Sequence, residues 1–306
     1  MSIEEAKAFA KRIANLFIEH EEVTRVWDRF DSMRTHLKAG TENEDPRHLM
    51  VTGLSGVWKT QISKRYVKKN PGFTIYDEKA DAEIDIAPVI RVKLPYPFTQ
   101  MDFYKRIIKA LGAPIVRSDA RVNYLKDQAL HLLVKQRTEM IIFDEMNFIM
   151  RTKRFDNQEA MEMFKDLTNE GRVCLVCMGT PQIESLRTME DEYIGRFGRE
   201  RISRFENCDE KFQNLLVQIE EILQPPAPIG LGDVKTGLPA LLHFYCQGRI
   251  RYLHNIIIEA YRLLGVFESD FHDISKSQLN VELIERAKYN LFGEIDHLTE
   301  PTLVSN

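Results

Sequence analysis

The chain has 306 residues, enough for one large domain or two modest ones with a buried core. Its 43% hydrophobic and 29% charged residues are ordinary for a globular protein, and a formal net charge of -4 excludes bulk attraction to nucleic acid. Any DNA binding therefore needs a local basic patch.

The N-terminal stretch MSIEEAKAFAKRIANLF is amphipathic, carries acidic residues and lacks the apolar core of a signal peptide. No apolar run approaches the roughly 20 residues needed to span a bilayer. The expected compartment is the cytoplasm, with no membrane partner. The four cysteines, Cys174, Cys177, Cys208 and Cys246, are too few for a disulfide scaffold in a chain of this length. Cys174 and Cys177 have CxxC spacing, but they sit in an apolar run and no second pair follows, so they read as core residues rather than zinc ligands.

In chain order, residues 3–38 read as two helices from the apolar spacing of Ile3, Ala6, Phe9, Ala10 and Ile13, and of Val23, Val26, Trp27 and Phe30. A polar loop, 40–47, follows. His48–Thr52 is a short strand, Thr60–Lys69 a helix stopped by Asn70-Pro71-Gly72, and Pro88–Leu94 a β-rich run. Thr99–Leu111 reads as a helix capped by Thr99 and ended at Gly112. Residues 120–136 form another helix, 140–143 a buried strand, 158–170 a helix, 173–178 a second buried strand and 201–205 a further strand. Strands alternating with helices predict an α/β fold with a parallel sheet covered on both faces. From about residue 207 the strands give way to helices near 209–224, 233–246, 249–264 and 277–292. The expected organisation is an N-terminal helical extension, 1–39, an α/β domain, 40–207, and a small all-helical C-terminal domain, 208–306.

Five motifs carry chemistry. Gly53-Leu54-Ser55-Gly56-Val57-Trp58-Lys59-Thr60 follows a strand and opens a helix, where a phosphate-binding loop must sit. In such a loop backbone N–H groups, including those of Val57 and Gln61, surround phosphates, the Lys59 ammonium reaches the terminal phosphates and the Thr60 hydroxyl holds Mg²⁺. The pattern asks for glycine where this chain has Trp58, and a large side chain there is expected to clash or distort the loop. Second, Met140–Phe143 ends in Asp144 and Glu145. Asp144 suits the metal, and Glu145 suits orienting and deprotonating an attacking water. Third, the strand ending Met178-Gly179-Thr180 offers a hydroxyl able to sense the terminal phosphate. Fourth, Gly195–Phe205 holds four arginines, of which Arg196 or Arg199 suits an arginine finger reaching a neighbouring subunit. Fifth, Gln247-Gly248-Arg249-Ile250-Arg251 opens a helix from which Arg249 or Arg251 can touch phosphates. Each motif alone has a plainer reading: a glycine-rich turn, a strand ending in solvated acids, a basic surface.

Together and in this order, HLMVTGLSGVWKT, EMIIFDEMNFI, VCLVCMGTPQ, RFGRERISRF and CQGRIR resemble the AAA+ P-loop NTPases. More narrowly they resemble the TniB/TnsC-type ATPases of DNA transposition, over roughly residues 45–265. The resemblance implies an AAA+ sheet with a small helical lid, ATP and Mg²⁺ bound at a subunit boundary, and DNA-stimulated hydrolysis. It also implies assembly into rings or helical filaments on duplex DNA, and a link between a transposase and a target-selection protein. Contacts to DNA phosphates are then expected from Lys105, Arg106, Lys109, Arg117 and Arg121. Two other functions fit the same motifs. A non-hydrolysing P-loop adaptor is favoured by Trp58. A replication initiator or helicase loader would more often carry a helix-turn-helix; no clear one stands in the last 40 residues, where Ser275–Phe292 has room for part of one.

Overall fold

A computed structural model describes residues 3–39, 45–78, 81–114 and 121–294. The chain divides into two compact units, residues 21–202 and residues 1–20 with 203–306, each with its own core. The residues expected as one N-terminal extension are thus shared: α1 (Ile3–Ala14) lies in the second unit and α2 (Glu21–Ala39) in the first.

The first unit runs β1 (His48–Gly53), α3 (Lys59–Lys69), a hairpin of β2 (Phe73–Asp77) and β3 (Ala82–Ile86), then β4 (Val89–Lys93), α4 (Gln100–Ala110) and α5 (Val122–Lys135). It continues through β5 (Met140–Asp144), α6 (Asn147–Arg151), α7 (Asn157–Gly171), β6 (Cys174–Gly179), α8 (Glu184–Arg187), α9 (Asp191–Arg196) and β7 (Phe197–Ile202). The five strands β4-β5-β6-β1-β7 form one sheet in that order, and every pair is parallel. Residues of β1, β5 and β6 are buried throughout, as expected for central strands covered on both faces.

Period-2 alternation assigns side chains to the two faces. Ile141, Phe143, Leu175 and Cys177 join the core built with α4, α5 and α7, where Phe143 packs on Phe103 and Phe164 at 5.5 and 4.8 Å between centroids. Burying one such ring is worth roughly 1.5–3 kcal/mol. On the opposite face, Cys174 Sγ donates to Met33 O of α2 (3.6 Å), and Arg34 of α2 pairs with Glu139 at 2.8 Å. Cys174 and Cys177 therefore lie on opposite faces and cannot pair with each other; burial pushes the Cys174 thiol up to about 12.

Most expected elements stand within a residue or two of their predicted bounds, including the Thr99 cap, whose hydroxyl accepts the Asp102 N–H at 3.1 Å. Three differ. The strand expected at 201–205 is β7, Phe197–Ile202, displaced because an edge strand carrying Arg199, Glu200 and Arg201 shows little apolar alternation. The β2–β3 hairpin was not foreseen: it is a separate two-stranded sheet with Phe73 and Tyr76 exposed, so it has no buried face to reveal it. The helix expected at 233–246 begins only at Leu238, because Gly237 (φ 71°) closes a 3₁₀ turn and Pro239 fits the first turn of the new helix.

The second unit is helical, with α1, α10 (Glu210–Leu223), α11 (Leu238–Cys246), α12 (Ile250–Leu263) and α13 (Val281–Phe292); α1 packs on α10 and α12, and α12 on α11 and α13. Phe9 meets Tyr261 edge-on at 5.6 Å inside its core. The Glu220 carboxylate accepts the N–H groups of Ile229, Gly230 and Leu231 at 2.6, 3.1 and 2.7 Å, fixing the chain after the proline-rich 224–228 segment. Residues 275–292 hold the end of a 3₁₀ turn and the single helix α13, not a helix-turn-helix. Among the described residues no helix is long and apolar enough to cross a membrane, and no cluster of His, Cys, Asp and Glu could hold a metal alone.

Candidate nucleotide site

The loop from Gly53 to Lys59 joins the carboxyl end of β1 to the N-terminus of α3, the place where open parallel sheets bind ligands. A Cβ on Gly53 would meet Ile202 O and Val57 Cγ2, both at 2.8 Å, so only glycine leaves this turn closed. Gly56 takes φ 92° and Trp58 φ 65°, ψ 17°. Trp58 thus adopts the left-handed geometry that glycine supplies without strain, at a cost of about 1–2 kcal/mol. The indole is buried, with 6% of its surface exposed. Trp58 offers α3 no side-chain cap, so the first N–H groups of the helix remain directed at the loop.

Lys59 Nζ donates to Gly53 O at 2.6 Å and Leu54 O at 2.8 Å, bracing the loop from within. Burial lowers its ammonium to about 8, against the opposing pull of Asp144 and Glu145. The next residue crosses to β5: Thr60 Oγ1 donates to Asp144 Oδ2 at 2.8 Å. Asp144 is 3% exposed, and its Oδ1 accepts the Glu145 N–H at 2.9 Å. Glu145 turns the chain sharply out of β5 with φ 65°, and Met146 N–H returns to Met178 O of β6 at 3.1 Å. A strained acidic residue at a strand's carboxyl end is typical of a site where geometry serves chemistry.

Two residues that the sequence did not single out complete the rim. Asn147, first residue of α6, clamps Thr180: its Oδ1 accepts the Thr180 N–H at 2.8 Å and its Nδ2 donates to Thr180 Oγ1. A Cβ on Gly179 would meet Asn147 Oδ1 at 2.7 Å, which explains the Gly-Thr step. Arg91 of β4 donates through Nη2 to Asp144 Oδ2 and through Nε to Ser63 Oγ at 3.0 Å. No sequence motif marks Asn147 or Arg91; they are found only by pairing β4 with β5 and β5 with β6.

The residues fit a magnesium–nucleotide. Glycine-built backbone, a buried ammonium and a helix end suit phosphates, and adjacent hydroxyl and carboxylate oxygens suit a hard cation. A family model described as "Bacterial TniB protein" matches residues 10–207. The chain belongs to the TniB family. Among solved structures this TniB-family chain is similar to the Aeropyrum pernix ORC1 protein in complex with DNA: 15% identity, TM-score 0.57, 87% of this chain and 64% of that one. The A. pernix ORC2 protein in ADPNP–ADP complexes matches at 13% identity and TM-score 0.60, over 93% and 70% of the two chains. Cdc6p from Pyrobaculum aerophilum matches at 10% identity and TM-score 0.55, over 84% and 65%. At these identities the similarity is one of fold, that of the AAA+ ATPases. No curated protein matches the sequence.

Each of the remaining expected residues of the TniB-family chain has its own surroundings. Arg196 ends α9, bonded to Asn169 Oδ1 (3.1 Å) and paired with Glu192 (3.1 Å) and Asp45 (3.7 Å). Arg199 sits on the edge strand β7, 3.9 Å from Glu184. Arg249 and Arg251 belong to the helical unit, at the start of α12; Arg249 is buried over the Tyr252 ring, with its Nε unpartnered, while Arg251 is exposed. Gly248 ahead of them must be glycine, since a Cβ would fall 1.7 Å from Phe205 O. Lys105, Arg106 and Lys109 lie on α4, with Arg106 and Lys109 exposed, and Arg121 stands just ahead of α5 without a side-chain cap bond. Arg117 lies outside the described residues.

Proposed function

We propose that this protein is an ATP-hydrolysing, DNA-associated AAA+ regulator of transposition that acts in the cytoplasm, assembles with copies of itself on duplex DNA and links a transposase to a target-selection protein. The observation that carries the reading is the 2.8 Å bond from Thr60 to Asp144, which joins the phosphate loop to the acidic end of β5. Lys59 holds the terminal phosphates, and Thr60 and Asp144 hold the metal, whose contribution is to neutralise charge on the departing phosphoryl group. Glu145 orients and deprotonates the attacking water. Thr180, set by Asn147, reports whether the terminal phosphate is present. Arg249 or Arg251 touches phosphates from the helical unit, and Arg196 or Arg199 reaches the nucleotide of a neighbouring copy. Lys105, Arg106, Lys109, Arg117 and Arg121 supply sequence-independent phosphate contacts to DNA, which a net charge of -4 confines to a local patch.

Phosphate release measured with and without duplex DNA tests this reading, together with titration of a fluorescent ATP analogue. We expect saturable binding and DNA-stimulated turnover, and rings or filaments on DNA in electron micrographs with a slowly hydrolysed analogue. Binding without turnover would make the chain a P-loop adaptor. The ORC and Cdc6 fold similarity supports a second reading as an initiator or helicase loader. Stimulation by one defined DNA sequence only, with no response to a transposase, would favour it.

A further inference from the structure

Asp144 is a nearly buried carboxylate, and its Oδ2 is already shared by two donors, the Thr60 hydroxyl and the Arg91 guanidinium. Arg91 pairs in register with Ile142, so the pleat turns its side chain to the sheet face that also carries Asp144. There Nε donates to Ser63 Oγ at 3.0 Å, and Ser63 Oγ in turn donates to Thr60 O at 3.0 Å. One guanidinium thus braces β4 against both α3 and β5. A lysine, with a single ammonium, cannot address Ser63 and Asp144 in the same fixed fork. The Arg91 side chain is itself only 19% exposed, so the pair is weakly screened.

We propose that Arg91 is a positioning residue that supplies the cation balancing Asp144 when magnesium is absent, and thereby sets how much magnesium the nucleotide requires. The proposal rests on the reading of Thr60 and Asp144 as the metal-holding pair. A buried carboxylate without a partner is costly, so the metal-free site is kept in order by Arg91. The same positive charge lowers the negative potential that draws a divalent cation to Asp144. The two effects have opposite signs when Arg91 is removed: the empty protein loses stability, while its attraction for magnesium rises. A residue that merely held the fold together would weaken both.

The test uses the full chain, a fluorescent ATP analogue and a magnesium titration starting from EDTA. Arg91→Gln is expected to lower the half-saturating magnesium concentration about tenfold, as loss of one neighbouring charge warrants. Arg91→Lys, which keeps the charge, should stay within about threefold of the original chain. In EDTA without nucleotide Arg91→Gln should melt below the original chain, and the gap should narrow once magnesium and nucleotide saturate the site. Ser63→Ala, which frees one arm of the fork without a change of charge, should shift the magnesium midpoint in the same direction by about two- to threefold, and it remains readable if Arg91→Gln does not fold. An unchanged or raised midpoint in Arg91→Gln and Ser63→Ala, with analogue binding intact, overturns the role of Arg91 alone. An original chain that binds no analogue at any magnesium concentration overturns the nucleotide site itself, and this proposal with it.

Discussion

The carboxyl ends of β1, β5 and β6 and the outer edge strand β7 both present charged side chains, but they hold them in different ways. At the rim, Lys59, Thr60, Asp144 and Arg91 are bonded to one another or to loop backbone, and Asp144 is buried. At the edge, Arg199 meets Glu184 at 3.9 Å with 58% of its side chain exposed, and Arg196 shares Glu192 and Asp45. Surface pairs of this kind contribute about 0–1 kcal/mol, whereas removing one member of a buried pair costs roughly 3–5 kcal/mol. The rim is therefore built to keep one geometry, and the edge arginines can exchange their acids for another partner at little cost.

Three predictions break or sharpen that contrast. Glu145→Gln should have the largest effect, cutting phosphate release by up to about 10⁴-fold while analogue affinity changes less than about threefold, since only proton acceptance is lost. Turnover that survives intact would move water activation to another group. Alanine at Arg199 or Arg196 should lower turnover of the assembled protein by about 10³-fold at one of the two positions. Urea unfolding should shift by no more than about 0.5 kcal/mol at Arg199, as befits an exposed pair. If neither variant slows turnover, the finger lies elsewhere.

Trp58→Gly comes third and joins two opposing terms. Relief of the left-handed strain gains about 1–2 kcal/mol, and loss of a buried indole costs about 3–5 kcal/mol. A net loss of roughly 2–3 kcal/mol in chemical unfolding is expected, with stronger binding of the nucleotide analogue; unchanged or weaker affinity would show that the loop has adapted to Trp58. A variant more stable than the original would show that the ring contributes little packing.

Much of the fold was legible because its strands and helices follow strong local rules. β5 and β6 are unbroken apolar runs ended by Asp144-Glu145 and Gly179-Thr180, and α4 has both its Thr99 cap and Gly112 beyond its end. The hairpin at 73–86 and the true start of β7 were not legible, since neither buries a continuous face. In the site, Lys59, Thr60, Asp144 and Glu145 stand in motifs of fixed spacing. Arg91 reads as one charge in a β-rich run and Asn147 as one polar residue after a strand. Only strand pairing turns either into a member of the rim.

The sequence by itself determined the order of strand, loop and helix, the glycines at 53, 56, 179 and 248, and the oxygen and nitrogen groups offered at each strand end, because backbone conformation and side-chain chemistry are local properties. The tertiary structure alone decided three things: that Trp58 could take glycine's conformation, that Asn147 fixes Thr180, and that Arg91 shares an oxygen with Thr60. These depend on which strands lie side by side. That is settled by burial across the whole sheet, between residues as far apart in the chain as His48 and Phe197.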